Sequence, residues 1–184
     1  MQALSLPKIH PLLRFALIAG VLYLIWFFGY ERYVAVDGRL DTLLTHNIAS
    51  MSAGIMRVLG FDAAVDPADL NLVLVNKRPS VFILPFCDGM VLYALFTGFV
   101  LAFPGSSPHR IWFIPLGIVL IYIVNVLRVV ALSLNHYYSQ STVEFNHHYT
   151  FVFIEYGFIC LLWLWWATRL AEPVSQLEMP DANA

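Results

Sequence analysis

Residues 84–103 read LPFCDGMVLYALFTGFVLAF, and a membrane fold follows from this stretch. Two residues that favour turns, Pro85 and Gly89, bracket Cys87 and Asp88. The apolar run that follows them predicts a membrane helix whose first turn carries the thiol. A cysteine beside a carboxylate at a bilayer boundary indicates a chemical role. The other polar residues are therefore considered by their depth relative to Cys87.

The composition also indicates a membrane protein. Of 184 residues, 60% are hydrophobic and 12% are charged, whereas soluble domains carry about 25% charged residues. The net charge of −2 and the absence of a basic run longer than Lys77-Arg78 argue against a nucleic-acid partner. We expect one membrane-embedded domain over residues 1–170 and a disordered polar tail over residues 171–184.

Apolar segments predict about four transmembrane helices. They cover residues 15–28, 88–103, 111–134 and 149–168. The first segment has no small-x-small cleavage site after it, so we interpret it as a retained helix and not as a signal peptide. The predicted fold class is an all-α polytopic membrane protein.

Two further elements are predicted between the first and second spans. Residues 39–60 have apolar side chains at helical spacing, which predicts an amphipathic helix at the outer face of the membrane. A re-entrant or spanning helix is the alternative. Residues 70–75 and 80–84 are rich in β-branched side chains and flank a turn, which predicts a short β-hairpin before Cys87. Its second strand offers an edge to an extended peptide.

The charges in the short loops predict the orientation. Lys8, Arg14, Arg110 and Arg169 flank the same ends of the four spans. The positive-inside rule then places both termini in the cytoplasm. Cys87 and the region of residues 125–148 consequently lie toward the outer face.

Two charged residues inside the spans have matching depths. Arg128 lies about 9 Å below the outer end of its helix, and Glu155 lies about 10 Å below the start of the next helix. An unpaired charge costs at least ~2.5 kcal/mol near the bilayer centre, so the two are predicted to pair. Asn125 precedes Arg128 by three residues and shares its helix face.

These motifs resemble the exosortase/archaeosortase family of membrane cysteine transpeptidases. The resemblance is carried by Cys87-x-Gly89 at the head of a helix, by the NVLRV motif at 125–129, and by histidine at the start of the last span. The NHHY sequence at 146–149 and the short chain are similar to the short exosortase variants of Bacteroidetes-type bacteria. Asp88 stands where the common pattern has serine, and the usual glycine four residues after the histidine is missing.

The resemblance implies an activity and its partners. The enzyme would cleave exported proteins that end in a short motif, a transmembrane helix and a basic tail. It would hold them as a thioester and transfer them to a lipid- or polysaccharide-linked amine or hydroxyl. The implied location is the bacterial inner membrane, with the active site facing the periplasm, and no cofactor is implied. The implied catalytic residues are Cys87, Arg128 and His148, with His147 as the alternative histidine. The supporting residues are Asp88, Asn125 and Glu155. The chemistry of the residues indicates that Glu155 holds Arg128 in place, and that Asp88 either orients the histidine or disfavours a thiolate beside it.

Two other functions are compatible with the same residues. Cys87, Asp88, His147 and His148 also form a possible metal-ligand set for a membrane hydrolase, although no HExxH or CxxC spacing is present. A non-catalytic assembly or transport subunit would use Arg128 and Glu155 only as a structural pair. Cys160 lies among apolar residues and is expected to be inert.

Overall fold

The computed structural model describes residues 10–103, 107–139 and 142–171. This part of the chain contains five α-helices longer than three residues and one three-stranded antiparallel sheet. In chain order they are α1 (Pro11–Ile25), α2 (Arg39–Val58), β1 (Ala63–Val65), β2 (Leu72–Val75), β3 (Arg78–Phe82), α3 (Met90–Ala102), α4 (Ser107–Tyr138) and α5 (Phe151–Trp165). Short 3-10 and π-helical turns join or extend these elements. The tail predicted to be disordered lies, except for Ala171, outside the described residues.

The helical membrane class is confirmed, but the number of long spans is smaller than predicted. Three described stretches are long and apolar enough to cross a bilayer, Leu12–Asp37, Pro108–Tyr138 and Phe151–Leu170. The fourth predicted span is α3, which has 13 residues. At 1.5 Å per residue it is about 20 Å long, whereas the hydrocarbon core is about 30 Å thick. It is short because Gly89 before it is left-handed and Phe103 after it is extended.

The first helix runs further than its apolar segment. After α1 the chain continues as a π-helix over Trp26–Val34 and a last helical turn over Ala35–Asp37. Gly38 then ends the helix in the left-handed region, with φ of 67°. The prediction stopped the span at Phe28 because polar residues follow. Polarity, however, changes the surroundings of a helix and does not end its hydrogen-bond ladder.

The predicted amphipathic helix over 39–60 is confirmed as α2, which packs against α4 and the sheet. Its buried face consists of small and polar residues together with Ile48 and Met56. The buried residues are Asp41, Thr45, Ile48, Ala49, Ser52, Ala53 and Met56. Several large apolar side chains point outward, namely Leu40, Leu43, Met51 and Leu59. An exposed apolar face is what an interfacial helix presents to lipid; the interfacial position itself stays a prediction.

The hairpin before the cysteine is confirmed. β2 and β3 pair antiparallel around Asn76 and Lys77, whose φ angles are 51° and 61°. Two consecutive positive φ angles are typical of the tight turns that match the twist of a hairpin. A third strand, β1, pairs with β2 and gives the order β1-β2-β3. It was not predicted because three residues are too few for a periodic signal.

The described residues form three buried clusters, two of which position the segment around Cys87. One of these two joins α3, α4 and α5 through large side chains, including Phe96, Phe113 and Trp166. Phe96 lies against Gly117, where an added Cβ would come within 2.1 Å of its ring. The other joins α2, the sheet and α4, and Cys87 is one of its members. The thiol is thus held where the membrane helices contact the hairpin.

Candidate active site

The backbone around Cys87 is fixed by the two turn-forming residues. Pro85 starts a 3-10 turn over Pro85–Cys87, and the Cys87 N–H donates to the Leu84 carbonyl at 2.8 Å. Gly89 follows with φ of 87°. A Cβ at this position would lie 3.0 Å from the Tyr93 hydroxyl and 3.2 Å from the Asn125 amide nitrogen. Glycine is therefore required both by the left-handed backbone and by the close packing.

Arg128 lies beside the thiol and contacts Cys87, His147 and Glu155. Its Nη2 is 3.5 Å from the Cys87 Sγ and 3.2 Å from the His147 Nε2. Its Nη1 donates to both carboxylate oxygens of Glu155, each at 3.1 Å. The Arg128 and Glu155 side chains are 11% and 7% exposed. The predicted pairing of Arg128 with Glu155 is thus present, and the second terminal nitrogen of the guanidinium remains directed at Cys87 and His147.

Among the histidine side chains that the structure describes, that of His147 lies beside the thiol. Its Nε2 lies 3.9 Å from the Cys87 Sγ. It belongs to a π-helical turn over Asn146–Thr150 that leads into α5. His148, which the sequence favoured, lies in the same turn, but its side chain is outside the described part of the structure. A catalytic role for His148 therefore stays a prediction.

Asn125 forms a hydrogen bond with the backbone of Cys87. Its side-chain amide donates to the Cys87 carbonyl at 3.0 Å, and the residue is 1% exposed. It lies one helical turn before Arg128 on α4, so one face of that helix holds both the backbone and the side chain of Cys87. The predicted common face of Asn125 and Arg128 is present.

Asp88 lies in a carboxylate cluster that the sequence did not reveal. It is buried, and its Oδ1 accepts the Met90 N–H at 2.8 Å. Asp41 of α2 lies close enough to Asp88 to act on its ionisation, and Asp41 accepts a hydrogen bond of 2.5 Å from the Tyr30 hydroxyl. No sequence signal indicated Asp41, because the buried face of α2 is the polar one.

The surroundings of Cys87 and Asp88 change the pKa values of both groups. Burial raises the pKa of the Cys87 thiol, and the adjacent Arg128 guanidinium acts in the opposite direction. Burial also raises the pKa of Asp88 to about 6, the hydrogen bond from Met90 opposes this rise, and Asp41 adds to it. The Cys87 thiol thus has a guanidinium and an imidazole beside it, and cationic neighbours favour the thiolate form of a cysteine.

Two clefts open on either side of this group. One, of about 200 Å³, is lined by consecutive residues 80–83 of the hairpin and by Val129 and Leu132 of α4. The other, of about 310 Å³, lies between α3 and α5. Cys87, Arg128 and His147 line both clefts. A chain entering by one cleft and leaving by the other would pass the thiol.

The remaining sequence hypotheses concern a metal site and the second cysteine. Among the side chains that the structure describes, no three of His, Cys, Asp and Glu are grouped so as to hold a metal ion. Cys160 is a free thiol on the exposed side of α5. Its predicted inertness is untested by the geometry.

Comparison with known protein families covers most of the chain. A family model described as transmembrane exosortase matches residues 3–166. No curated protein and no solved structure matches the chain.

Proposed function

The chain belongs to the transmembrane exosortase family, and we propose that it is a membrane cysteine transpeptidase whose nucleophile is Cys87. The observation that carries this proposal is the grouping of a thiol, an imidazole and a guanidinium within 3.9 Å of one another. A nucleophile, a base and a cationic donor are the parts that acyl transfer through a thioester needs.

The first half-reaction forms the thioester. His147 Nε2 takes the proton from Cys87 Sγ, and the thiolate attacks a carbonyl carbon of the exported substrate. The carbonyl oxygen becomes an oxyanion, which the Nη2 group of Arg128 stabilises. The intermediate then collapses, the C–N bond breaks, and the imidazolium gives its proton to the leaving amine. The substrate's C-terminal fragment leaves, and its N-terminal part stays on Cys87.

The second half-reaction transfers the acyl group. An acceptor amine or hydroxyl loses its proton to His147 and attacks the thioester carbonyl. The new amide or ester forms as the C–S bond breaks, and the thiolate recovers the proton from the imidazolium. The acceptor is proposed to be linked to a lipid or a polysaccharide. Water in place of the acceptor would give hydrolysis.

We assign the role of base and acid to His147 and keep His148 as the alternative. The 3.9 Å distance from its Nε2 to the thiol supports this assignment. The guanidinium of Arg128 has two functions on separate nitrogens. Nη1 is held by Glu155, and Nη2 faces the reacting atoms. Glu155 thereby orients the arginine without contacting the substrate, and Asn125 orients the cysteine.

The proposed setting is the bacterial inner membrane, with both termini in the cytoplasm and the site facing the periplasm. In this orientation, Cys87 lies in the turn just before α3, at the outer end of that helix. The proposed substrates are exported proteins with a C-terminal motif, a transmembrane helix and a basic tail. Reporter fusions at Ser106 and Ala184 should both report a cytoplasmic position; a periplasmic signal from either contradicts this orientation.

The transpeptidase proposal is tested by expressing the chain in a membrane together with a tailed exported protein. A tailed exported protein here is one that ends in a short motif, a transmembrane helix and a basic tail. We expect the wild type and the Cys160→Ser variant to cleave the tail, and the Cys87→Ser variant to accumulate the uncleaved protein. Hydroxylamine should release the trapped acyl group as a hydroxamate from the wild type and from the Cys160→Ser variant, but not from the Cys87→Ser variant. Cleavage should also continue in the presence of a chelator.

Cleavage that persists in the Cys87→Ser variant would contradict the proposal. Normal sorting in that variant would favour the non-catalytic assembly or transport subunit. Loss of cleavage with chelator would favour the metal-dependent hydrolase.

A further inference from the structure

The proposed reaction steps do not use the edge of the hairpin that lies next to Cys87. We propose that the exported substrate adds itself as an extra strand to the outer edge of β3 and passes Cys87 in extended form. This inference rests on the proposed function and adds the manner in which the substrate is bound.

The register of the hairpin determines which groups of β3 point outward. The Ile83 N–H donates to the Asn71 carbonyl at 2.9 Å, so Ile83 directs its polar backbone groups toward β2. In an antiparallel ladder, neighbouring residues alternate between the two sides. Phe82, which faces Leu72 in the register, therefore directs its N–H and C=O away from β2. Such groups on an edge strand are a template for another extended chain.

The shape of β3 leaves this edge available. Ser80 is an extra residue in the strand, because Leu74 pairs with Pro79 while Val73 pairs with Val81. The Ser80 hydroxyl donates to the Ser133 carbonyl of α4 at 3.3 Å, which ties this bulge to the helix. Bulges bend the strand that contains them. A cleft remains between the bent strand and α4.

The cleft runs from Cys87 toward the end of α4 at Tyr138. Its lining includes Arg128, Val129 and Leu132 beside the strand. A neighbouring cleft of about 360 Å³ shares Ser80 and continues to His136 and Tyr137. From Arg128 to Tyr137 the helix rises about 14 Å, which accommodates about four residues of extended chain. A short peptide motif fits this length.

The second cleft leads away from Cys87 in the opposite direction. Between α3 and α5 it is lined by Val91 and Leu92 on one side and by Val152 and Tyr156 on the other. Val91 and Leu92 lie in the first turn of α3, shortly after Cys87. Val152 and Tyr156 lie in the first two turns of α5, shortly after His147. The substrate's hydrophobic helix, which follows the scissile bond, would contact apolar side chains in this cleft. The cleft along β3 instead offers backbone hydrogen bonds. The two clefts thus match an extended motif followed by a membrane helix.

The test removes one outward N–H from β3. In cells that express a tailed exported protein, Phe82→Pro should cleave about three- to tenfold more slowly than Phe82→Leu, because only proline removes the N–H. Val65→Pro is the matched control. The Asp66 N–H donates to the Leu72 carbonyl, so Val65 directs its N–H away from β2 on the opposite edge of the sheet. Because Val65 packs against the buried cluster that contains Cys87, Val65→Pro is compared with Val65→Leu. These two variants should cleave at equal rates, and a thiol probe should label Cys87 in all four variants.

Equal cleavage by Phe82→Pro and Phe82→Leu would overturn the strand-addition proposal while the transpeptidase proposal stands. No Cys87-dependent cleavage by the wild type would overturn both. If Phe82→Pro fails to label at Cys87, a photoreactive side chain at position 82 in the Cys87→Ala background gives the answer. An adduct with the residues just before the substrate's hydrophobic helix supports strand addition. An adduct with lipid alone, or with the hydrophobic helix itself, overturns it.

Discussion

The pairing of Arg128 with Glu155 allows the structural and chemical roles of one arginine to be separated. Nη1 of Arg128 lies 3.1 Å from both Glu155 oxygens, and both side chains are nearly buried. At this distance, unit charges in an effective dielectric constant of about 20 attract each other by about 5 kcal/mol. Removing one partner of a buried pair costs about 3–5 kcal/mol, because the other charge is left unmatched.

The Glu155→Gln variant should therefore lose about 3–5 kcal/mol of stability. For a chain of this size, 1 kcal/mol shifts the melting midpoint by about 2–4 °C, so the expected fall is roughly 6–20 °C. The double variant Arg128→Met/Glu155→Gln is the control, since it leaves no unmatched charge and should recover much of the loss. Apparent midpoints are measured in one detergent at one heating rate, because membrane proteins commonly unfold irreversibly.

The Arg128→Lys variant tests the chemical role. Lysine keeps the positive charge, so the Arg128→Lys protein should remain folded. Its single ammonium group, however, does not replace the planar guanidinium that contacts Glu155, the thiol and the histidine together. We expect a melting midpoint near that of the wild type and a cleavage rate lower by about 10²–10³, the usual cost of losing an oxyanion donor. An Arg128→Lys protein that cleaves at the wild-type rate would leave the arginine with a structural role only. If Glu155→Gln melts at the same midpoint as the wild type, the ion pair does not contribute the expected ~3–5 kcal/mol to stability.

Three further predictions concern the head of α3. A polar thiol probe should label the Cys160→Ala variant as well as the wild type but should not label Cys87→Ala; preferential labelling of Cys160 would contradict the choice of nucleophile. The pKa of Asp88 is raised to about 6 in the folded chain, so the folded state binds the proton more tightly than the unfolded one and loses stability as the pH rises from about 4 to about 6. Asp88→Asn should remove this loss and melt several degrees higher than the wild type at about pH 7.5 but not at about pH 4; the same difference at both pH values would exclude the titration as its cause. Gly89→Ala should cost about 1–2 kcal/mol from the left-handed backbone and lower Cys87 labelling, whereas Gly98→Ala, with nothing within 4 Å of its added Cβ, should do neither.

Much of the fold was readable in the sequence because the relevant signals are local. The apolar runs and the low share of charged residues identified a membrane protein, and the two runs of β-branched residues before and after residues 76–79 identified the hairpin. The pairing of Arg128 with Glu155 was also predictable, because depth along a membrane helix is a one-dimensional quantity that follows from residue number. A charge at a given depth needs a counter-charge at the same depth, and the sequence contained one suitable pair.

Other features depended on how the elements are rotated and packed. The sequence showed the apolar side of α2, but only packing revealed that its polar side, with Asp41, faces the site. The placement of His147 beside Cys87 required the π-helical turn before α5, whose rotation a residue count does not give. The short length of α3 and the clefts on both sides of Cys87 likewise arise from contacts between distant segments. The sequence by itself determined which residues share a depth in the membrane. The tertiary structure decided which of them touch, because contact depends on the rotation of each helix about its axis, and that rotation is set by long-range packing.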